Sequence, residues 1–414
     1  IIKIAFYTYA FFGLIGTILL FLGAESIAEK WLEIPEAKYC LITLSPSIFF
    51  ASITAVLRGY FNGRQNLAIT AKSQGIEQIF KTIFTIILVE IIANITMNNT
   101  ILMAGVANMA TTVATFFSFS YIYMLYRLRR KEIAIEISQS VNYIPTRIRK
   151  TLKKILKESI PVSLSSLMSS FNKNIDLFTI VRLLKRFMTE EQAKIQYGIL
   201  SGKIDILCLL PLSLNIPFVT AMVPAIAKSK AQGDYKQVKE KISVFLKITM
   251  VISLPTTVGL IIYAKPILNL LFPNASNGAI LLQINSISVI FMVFAQTINS
   301  ILQGIGKMNI PAISFFIGMV CKFFANIIFV GNENIGIKGA AIGNVVCNLI
   351  VCIIGFLVII KNIKFKIDYK NLIFKPIIAV IIMSLGSIFI FYIGNSIFSE
   401  KLATIIAIIF AIVI

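Results

Sequence analysis

The residues of this 414-residue chain that could do chemistry are ionisable side chains set inside long apolar stretches, where a charge is costly and usually marks a wet or paired interior. Lys173 and Asp176 lie in one such stretch, Lys203 and Asp205 in the next, with Asn172 and Asn174 as polar neighbours. A rise of about 1.5 Å per residue along two antiparallel helices puts all four charges in one layer near the outer ends, where they can pair across the helices and cancel. Lys322 has no acid within a turn, so it either snorkels to an interface or faces an anionic group. Lys81 has Glu77 one turn before it, the spacing of a structural ion pair. The chain contains no histidine, which removes the commonest general base, the commonest metal ligand and the usual activator of a serine or cysteine nucleophile. Cys40, Cys208, Cys321, Cys347 and Cys352 all fall in apolar stretches without metal-type spacing and read as small buried hydrophobes. Nothing calls for a metal or another cofactor, and an enzyme is not expected.

The elements that position these residues follow from composition. With 57% hydrophobic and 14% charged residues and a mean hydropathy of +0.87, the chain has too little polar surface for a water-soluble globule of this length. Crossing about 30 Å of hydrocarbon takes about 20 largely apolar residues in a helix, because a lone strand or loop would leave backbone groups unpaired. Such stretches occur near 2–22, 39–57, 68–95, 101–126, 159–181, 198–227, 242–263, 279–303, 311–330, 339–360, 374–394 and 402–414, which predicts twelve spans. The formal charge of +21 could suggest nucleic acid, but the basic residues sort by loop instead. Loops after even-numbered spans hold Arg58 and Arg64, the dense run from Arg127 to Lys157, the run from Lys228 to Lys241, Lys307, and the run from Lys361 to Lys375. Loops after odd-numbered spans are poorer in them, with Arg182 to Lys194 as the exception, so the even side is expected to be cytoplasmic.

An internal repeat organises the spans. Leu57-Arg58-Gly59-Tyr60-Phe61-Asn62-Gly63-Arg64, followed by Ala71, Ser73 and Lys81, returns about 240 residues later as Leu302-Gln303-Gly304-Ile305-Gly306-Lys307, followed by Ala312, Ser314 and Lys322. The second copy reads as shorter in the turn, and Gly59, Gly63, Gly304 and Gly306 read as helix ends at positive φ. Counting helices from the repeat predicts two pseudo-symmetric six-helix lobes plus an extra C-terminal pair, about fourteen spans in a parent of which about twelve are present here. The expected boundaries are an N-terminal lobe at 1–128 lacking its first two helices, a basic cytoplasmic connector at 129–157, a C-terminal lobe at 158–361 and the additional pair at 362–414.

On these residues the chain resembles the polysaccharide and lipid-linked oligosaccharide flippases of the MATE-like superfamily, nearest to the SpoVB and MurJ-like group. Arg58, Gly59 and Gly63, then Ser73, Glu77, Gln78 and Lys81, look like that group's basic turn and following helix start; Asn62 and Ile69 depart from its usual Gln and Pro. The resemblance implies an all-α polytopic protein of the inner (plasma) membrane that carries an undecaprenyl-pyrophosphate-linked saccharide from the cytoplasmic to the outer leaflet by alternating access. It also implies a lipid-linked substrate, the bilayer and cell-wall synthesis proteins as partners, and no nucleic acid. Lys173, Asn174, Asp176, Lys203, Asp205 and Lys322 are then the expected substrate or gate residues, with the lysines facing the pyrophosphate. A MATE-type multidrug exporter is the alternative, and a membrane scaffold that recruits partners through the basic connector is a third reading.

Overall fold

A computed structural model describes residues 2–31, 35–96, 99–129, 135, 148–273, 276–363 and 370–413, without the side chains of residues 31, 150, 154, 173, 174, 178 and 413. Among the described residues there is no strand. The chain forms two compact units, Ile1–Lys157 and Glu158–Ile414. Most of the basic connector expected at 129–157 lies outside the described residues.

The first unit contains α1 (Ile2–Ser26), α2 (Ala37–Gly63), α3 (Leu67–Ile95) and α4 (Thr100–Leu128). Helix α5 (Ile148–Leu184) carries the chain on. The second unit continues through α6 (Glu190–Ile199) and α7 (Asp205–Ala231), joined by a π turn at Leu200–Ile204, then α8 (Tyr235–Ile262), α9 (Ala264–Leu271) and α10 (Ala279–Gly304). It ends with α11 (Asn309–Ala325), extended by a π turn at Asn326–Val330, α12 (Lys338–Ile363), α13 (Lys375–Ile397) and α14 (Glu400–Val413). Local chemistry sets several starts. Thr189 and Gln192 form a reciprocal capping box before α6, and Asp234 accepts from the Gln237 amide at 2.8 Å to begin α8.

Nine of these helical runs are long and apolar enough to cross a membrane. The spans expected at 68–95, 159–181 and 402–414 are helical but are not among the nine. Along α3 run Lys72, Glu77, Lys81 and Glu90, α5 carries polar and charged residues throughout, and α14 has 14 residues where a span takes about 20. Large side chains such as Leu22, Ile86, Leu385 and Phe389 face outward, while the interior holds small polar residues including Ser45, Ser118, Asn215, Ser286 and Thr297. That inversion suits hydrocarbon as solvent, in which helices gain little from burying apolar surface and are joined by close packing and polar contacts.

The repeat is visible in how helices pack. In the first unit α1 packs on α2, α2 on α4 and α4 on α3, while α2 barely meets α3; in the second, α8, α10, α12 and α11 repeat that order. The turn between the matched pair corrects the sequence register. The Asn66 amide bonds to the Phe61 carbonyl and that of Gln65 to Asn62, both at 2.9 Å; Lys307 and Gly306 make the same two bonds to Leu302 and Gln303 at 2.8 and 2.9 Å. Both are the same left-handed helix ending, with Gln65 (φ 61°) in the place of Gly306 (φ 76°). The two turns are therefore equal in length, and of the four glycines only Gly306 takes positive φ. Helix α2 runs one turn past the point that matching Leu57 to Leu302 suggests. Counting back from this ending, Gly63 corresponds to Gly304 and Arg58 to Asn299; counting forward, Ser73 corresponds to Ser314 and Lys81 to Lys322. Gly304 serves close approach, since a Cβ there would lie 3.0 Å from that of Ile226 on α7.

Candidate functional site

In the second unit five helical segments surround a cavity of 560 Å³. Helix α5 contributes a stripe at three- and four-residue spacing, Ser165, Ser169, Asn172 and Asp176, so one face of that helix is polar where others of the bundle are apolar. The α6–α7 run adds Tyr197, Ser201 and Asp205 across its π turn, a local widening that often accompanies functional positions. Helix α10 adds Asn285, Gln296, Asn299, Ser300 and Gln303; α11 adds Phe315 and Lys322; α12 adds Asn344 and Asn348.

At one side of the cavity Lys322 Nζ lies 2.6 Å from Asp176 Oδ2 and donates to the Asn172 carbonyl at 3.1 Å. Asn326, at the start of the π turn, donates to Asp176 Oδ1 at 3.1 Å and to Thr179 Oγ1 at 3.0 Å. Both carboxylate oxygens thus have donors, and the lysine is 1% exposed, which in a buried setting is tolerable only because of that partner. Gly343 on α12 makes room for the group: a Cβ there would stand 2.5 Å from Asn326 Oδ1. Farther round the cavity, Asn344 donates to Asn285 Oδ1 at 3.1 Å and Asn285 donates to Asp205 Oδ1 at 3.0 Å.

These contacts rearrange what spacing suggested. Asp176 pairs with Lys322, 146 residues away and on another helix, so Lys322 is neither snorkelling nor without an acid. Of the four charges expected to share a layer, Asp176 pairs with Lys322, Asp205 accepts from the Asn285 amide, and the Lys203 ammonium lies 5.3 Å from the centre of the Phe272 ring. The side chains of Lys173 and Asn174 lie outside the described residues. In the first unit Glu77 is taken by Arg58, at 2.6 Å, and not by Lys81, which is exposed. Arg58 also donates to Ser73 Oγ at 3.0 Å and to Ser118 Oγ at 2.8 Å, binding α2, α3 and α4 together. Gly59, Gly63 and Gln78 of the same motif are exposed. The basic stretch from Arg182 to Lys194 is partly neutralised, since Glu190 bridges Lys185 and Lys194 at 2.5 and 2.8 Å. Sequence reasoning missed the carboxamides Asn285, Gln296, Asn299, Asn344 and Asn348. Their signal was available as amides recurring at helical spacing within apolar helices.

A bundle of apolar helices enclosing a polar cavity defines the class: a multi-pass α-helical membrane transporter. The fold is that of the MATE transporters. An outward-facing multidrug resistance MATE family transporter of the MOP superfamily aligns with a TM-score of 0.67 at 18% identity, covering 87% of this chain and 77% of its own, and MATE in the straight conformation with a TM-score of 0.68 over the same shares. The chain belongs to the family described as lipid II flippase MurJ, which it matches over residues 5–412. It is 22% identical to lipid II flippase MurJ of Bacillus subtilis (strain 168) over 390 residues, 91% of this chain and 71% of that protein. It is 28% identical to the uncharacterized membrane protein YabM and 23% to stage V sporulation protein B of the same organism, over 83% and 87% of this chain and 63% and 68% of those proteins. Membership of this family makes the chain a transporter of the inner (plasma) membrane rather than an enzyme.

Proposed function

We propose that the chain flips an undecaprenyl-pyrophosphate-linked saccharide, a peptidoglycan precursor or a polysaccharide unit, from the cytoplasmic to the outer leaflet by alternating access. The observation that carries this reading is a 560 Å³ cavity lined by hydroxyls, carboxamides and a buried ion pair, in a chain matching the lipid II flippase family almost end to end. A lipid-linked saccharide needs a polar compartment for its headgroup inside an apolar bundle, and transporter sites are commonly built this way, within the membrane and from helices interrupted by unwound or widened turns. The π turns at Leu200–Ile204 and Asn326–Val330 are such interruptions, beside Asp205 and beside the Lys322 group. In this reading Asp176 and Lys322 hold α5 against α11 and set the shape of the cavity. The proteins that make the precursor or polymerise it are proposed as partners, supported by the family alone.

The test is reconstitution of the full-length protein in vesicles with a fluorescent lipid-linked saccharide in both leaflets, scored by how much label becomes reachable to an impermeant quencher or enzyme. Transfer above protein-free vesicles is expected. Absence of transfer, together with efflux of small cationic dyes from the same vesicles, would replace flipping with drug export.

A further inference from the structure

We infer that Arg182 and Arg186, at the outer end of α5, form a docking site for the diphosphate headgroup of the lipid that the chain delivers, outside the cavity and on the release side. The inference rests on the flipping reading and on the orientation drawn from the basic loops. Three observations carry it.

The first is residue type. Beyond Lys157 the chain has two arginines, Arg182 and Arg186, and every other cation there is a lysine. Both stand on the side where basic residues are otherwise sparse, in the loop that breaks the alternation of charge. The C-terminal end of a helix favours a cation, but a lysine meets that need equally well. A guanidinium differs in its planar fork of donors, which matches two oxygens of a phosphate at once.

The second is pairing. Glu190 takes both lysines of the stretch, at 2.5 Å from Lys185 and 2.8 Å from Lys194. Among the described residues no ion pair reaches Arg182 or Arg186, and both are exposed. The remaining acids nearby in the chain or across the adjoining turn, Glu191 and Glu333, are exposed as well. Arg182, Lys185, Arg186 and Lys194 against Glu190 and Glu191 leave two positive charges, available to the two phosphate groups of a lipid diphosphate.

The third is a fixed platform at the right depth. Ile180, Leu183 and Leu184 of α5 are buried with Leu200, Ile204 and Val330 in one apolar cluster, which holds the end of the helix in place. The Arg186 amide donates to the Leu183 carbonyl at 3.2 Å, so the chain winds on past α5 and sets Arg186 about one turn beyond Arg182. Arg186 Nη1 lies 3.9 Å from where a Cβ of Gly331 would stand, so the guanidinium borders the turn between α11 and α12 with no side chain from that glycine over it. Arg182 follows directly on the apolar stretch that ends at 181, which puts both guanidiniums at the level of the outer headgroups.

The test is modification of arginines by a glyoxal reagent on the full-length protein in phosphatidylcholine nanodiscs, read by mass spectrometry of the peptides, with exposed Arg64 of the first unit as reference. Undecaprenyl diphosphate should slow modification of Arg182 and Arg186 roughly three- to tenfold relative to Arg64, and phosphatidylglycerol less than about twofold. Glu190→Gln, which adds one positive charge beside the site, should lower the undecaprenyl diphosphate needed for half-protection roughly two- to fivefold. Equal protection by the two lipids would reassign the arginines to bulk phospholipid and overturn the inference. So would protection by neither, or a half-protection point unmoved in Glu190→Gln. Vesicle flipping is measured in parallel: wild-type transfer without protection sinks the docking site alone, and protection without transfer sinks the flipping reading alone.

Discussion

Removing either Lys322 or its partner Asp176 should destabilise the second unit, and removing both should restore most of the loss. In Lys322→Met the Asp176 carboxylate keeps the Asn326 amide at 3.1 Å but loses the ammonium at 2.6 Å, leaving a buried charge with a single neutral donor. Stranding one partner of a buried pair costs about 3–5 kcal/mol. In Asp176→Asn the ammonium keeps the Asn172 carbonyl at 3.1 Å and gains a neutral amide oxygen where Oδ2 was, but it is left as a buried charge without a counter-charge, so the cost should again be about 3–5 kcal/mol. The double variant has no buried charge at this point and retains Asn326 as a partner for the new amide, so it should return to within about 1–2 kcal/mol of the wild type. The measurement is thermal unfolding in one detergent, followed by the loss of monodisperse protein on size exclusion, for wild type and all three variants. Equal stability of Lys322→Met and the wild type would refute the pair as a structural element. A double variant that is as damaged as the sum of the singles would show that the two residues act independently.

Gly343→Ala should cost about 1–3 kcal/mol by forcing a methyl group to within 2.5 Å of Asn326 Oδ1, whereas Gly259→Ala, with nothing within 4 Å, should be neutral or stabilising; the same unfolding assay separates them. Gln65→Gly should raise stability by up to about 1 kcal/mol and Gly306→Ala should lower it by about as much, because both positions require positive φ, and a loss from the first or a gain from the second would break the equivalence of the two turns. Cysteines placed at Tyr235 and Ser276 should react with an impermeant thiol reagent from the cytoplasmic and outer sides respectively, and labelling of both from one side would overturn the orientation drawn from the basic loops.

Much of this molecule is determined by its sequence alone. Runs of about 20 apolar residues have to become helices in hydrocarbon, because no other local structure satisfies the backbone there. The turn chemistry repeats in the chain itself, so the correspondence of Lys81 with Lys322 follows from the order of residues without any knowledge of packing. That Asp176 and Lys322 needed partners was also legible, from the cost of a charge in such a segment. Which partners they take was not. Spacing along a helix gives the neighbours of a residue on its own helix, so Glu77 was assigned to Lys81, whereas the packing of α2 and α3 on α4 brings the Arg58 guanidinium to within 2.6 Å and removes Glu77 from that choice. Asp176 and Lys322 meet because the folded bundle brings α5 and α11 within side-chain reach, while Gly318 and Gly343 let α11 and α12 close on one another. The cavity is likewise a property of packing: Asn299 is an ordinary amide in an apolar helix until the helix ending shows that it stands where the other half of the repeat has Arg58. Periodicity fixes the face a side chain occupies, but only the assembled bundle decides what that face meets.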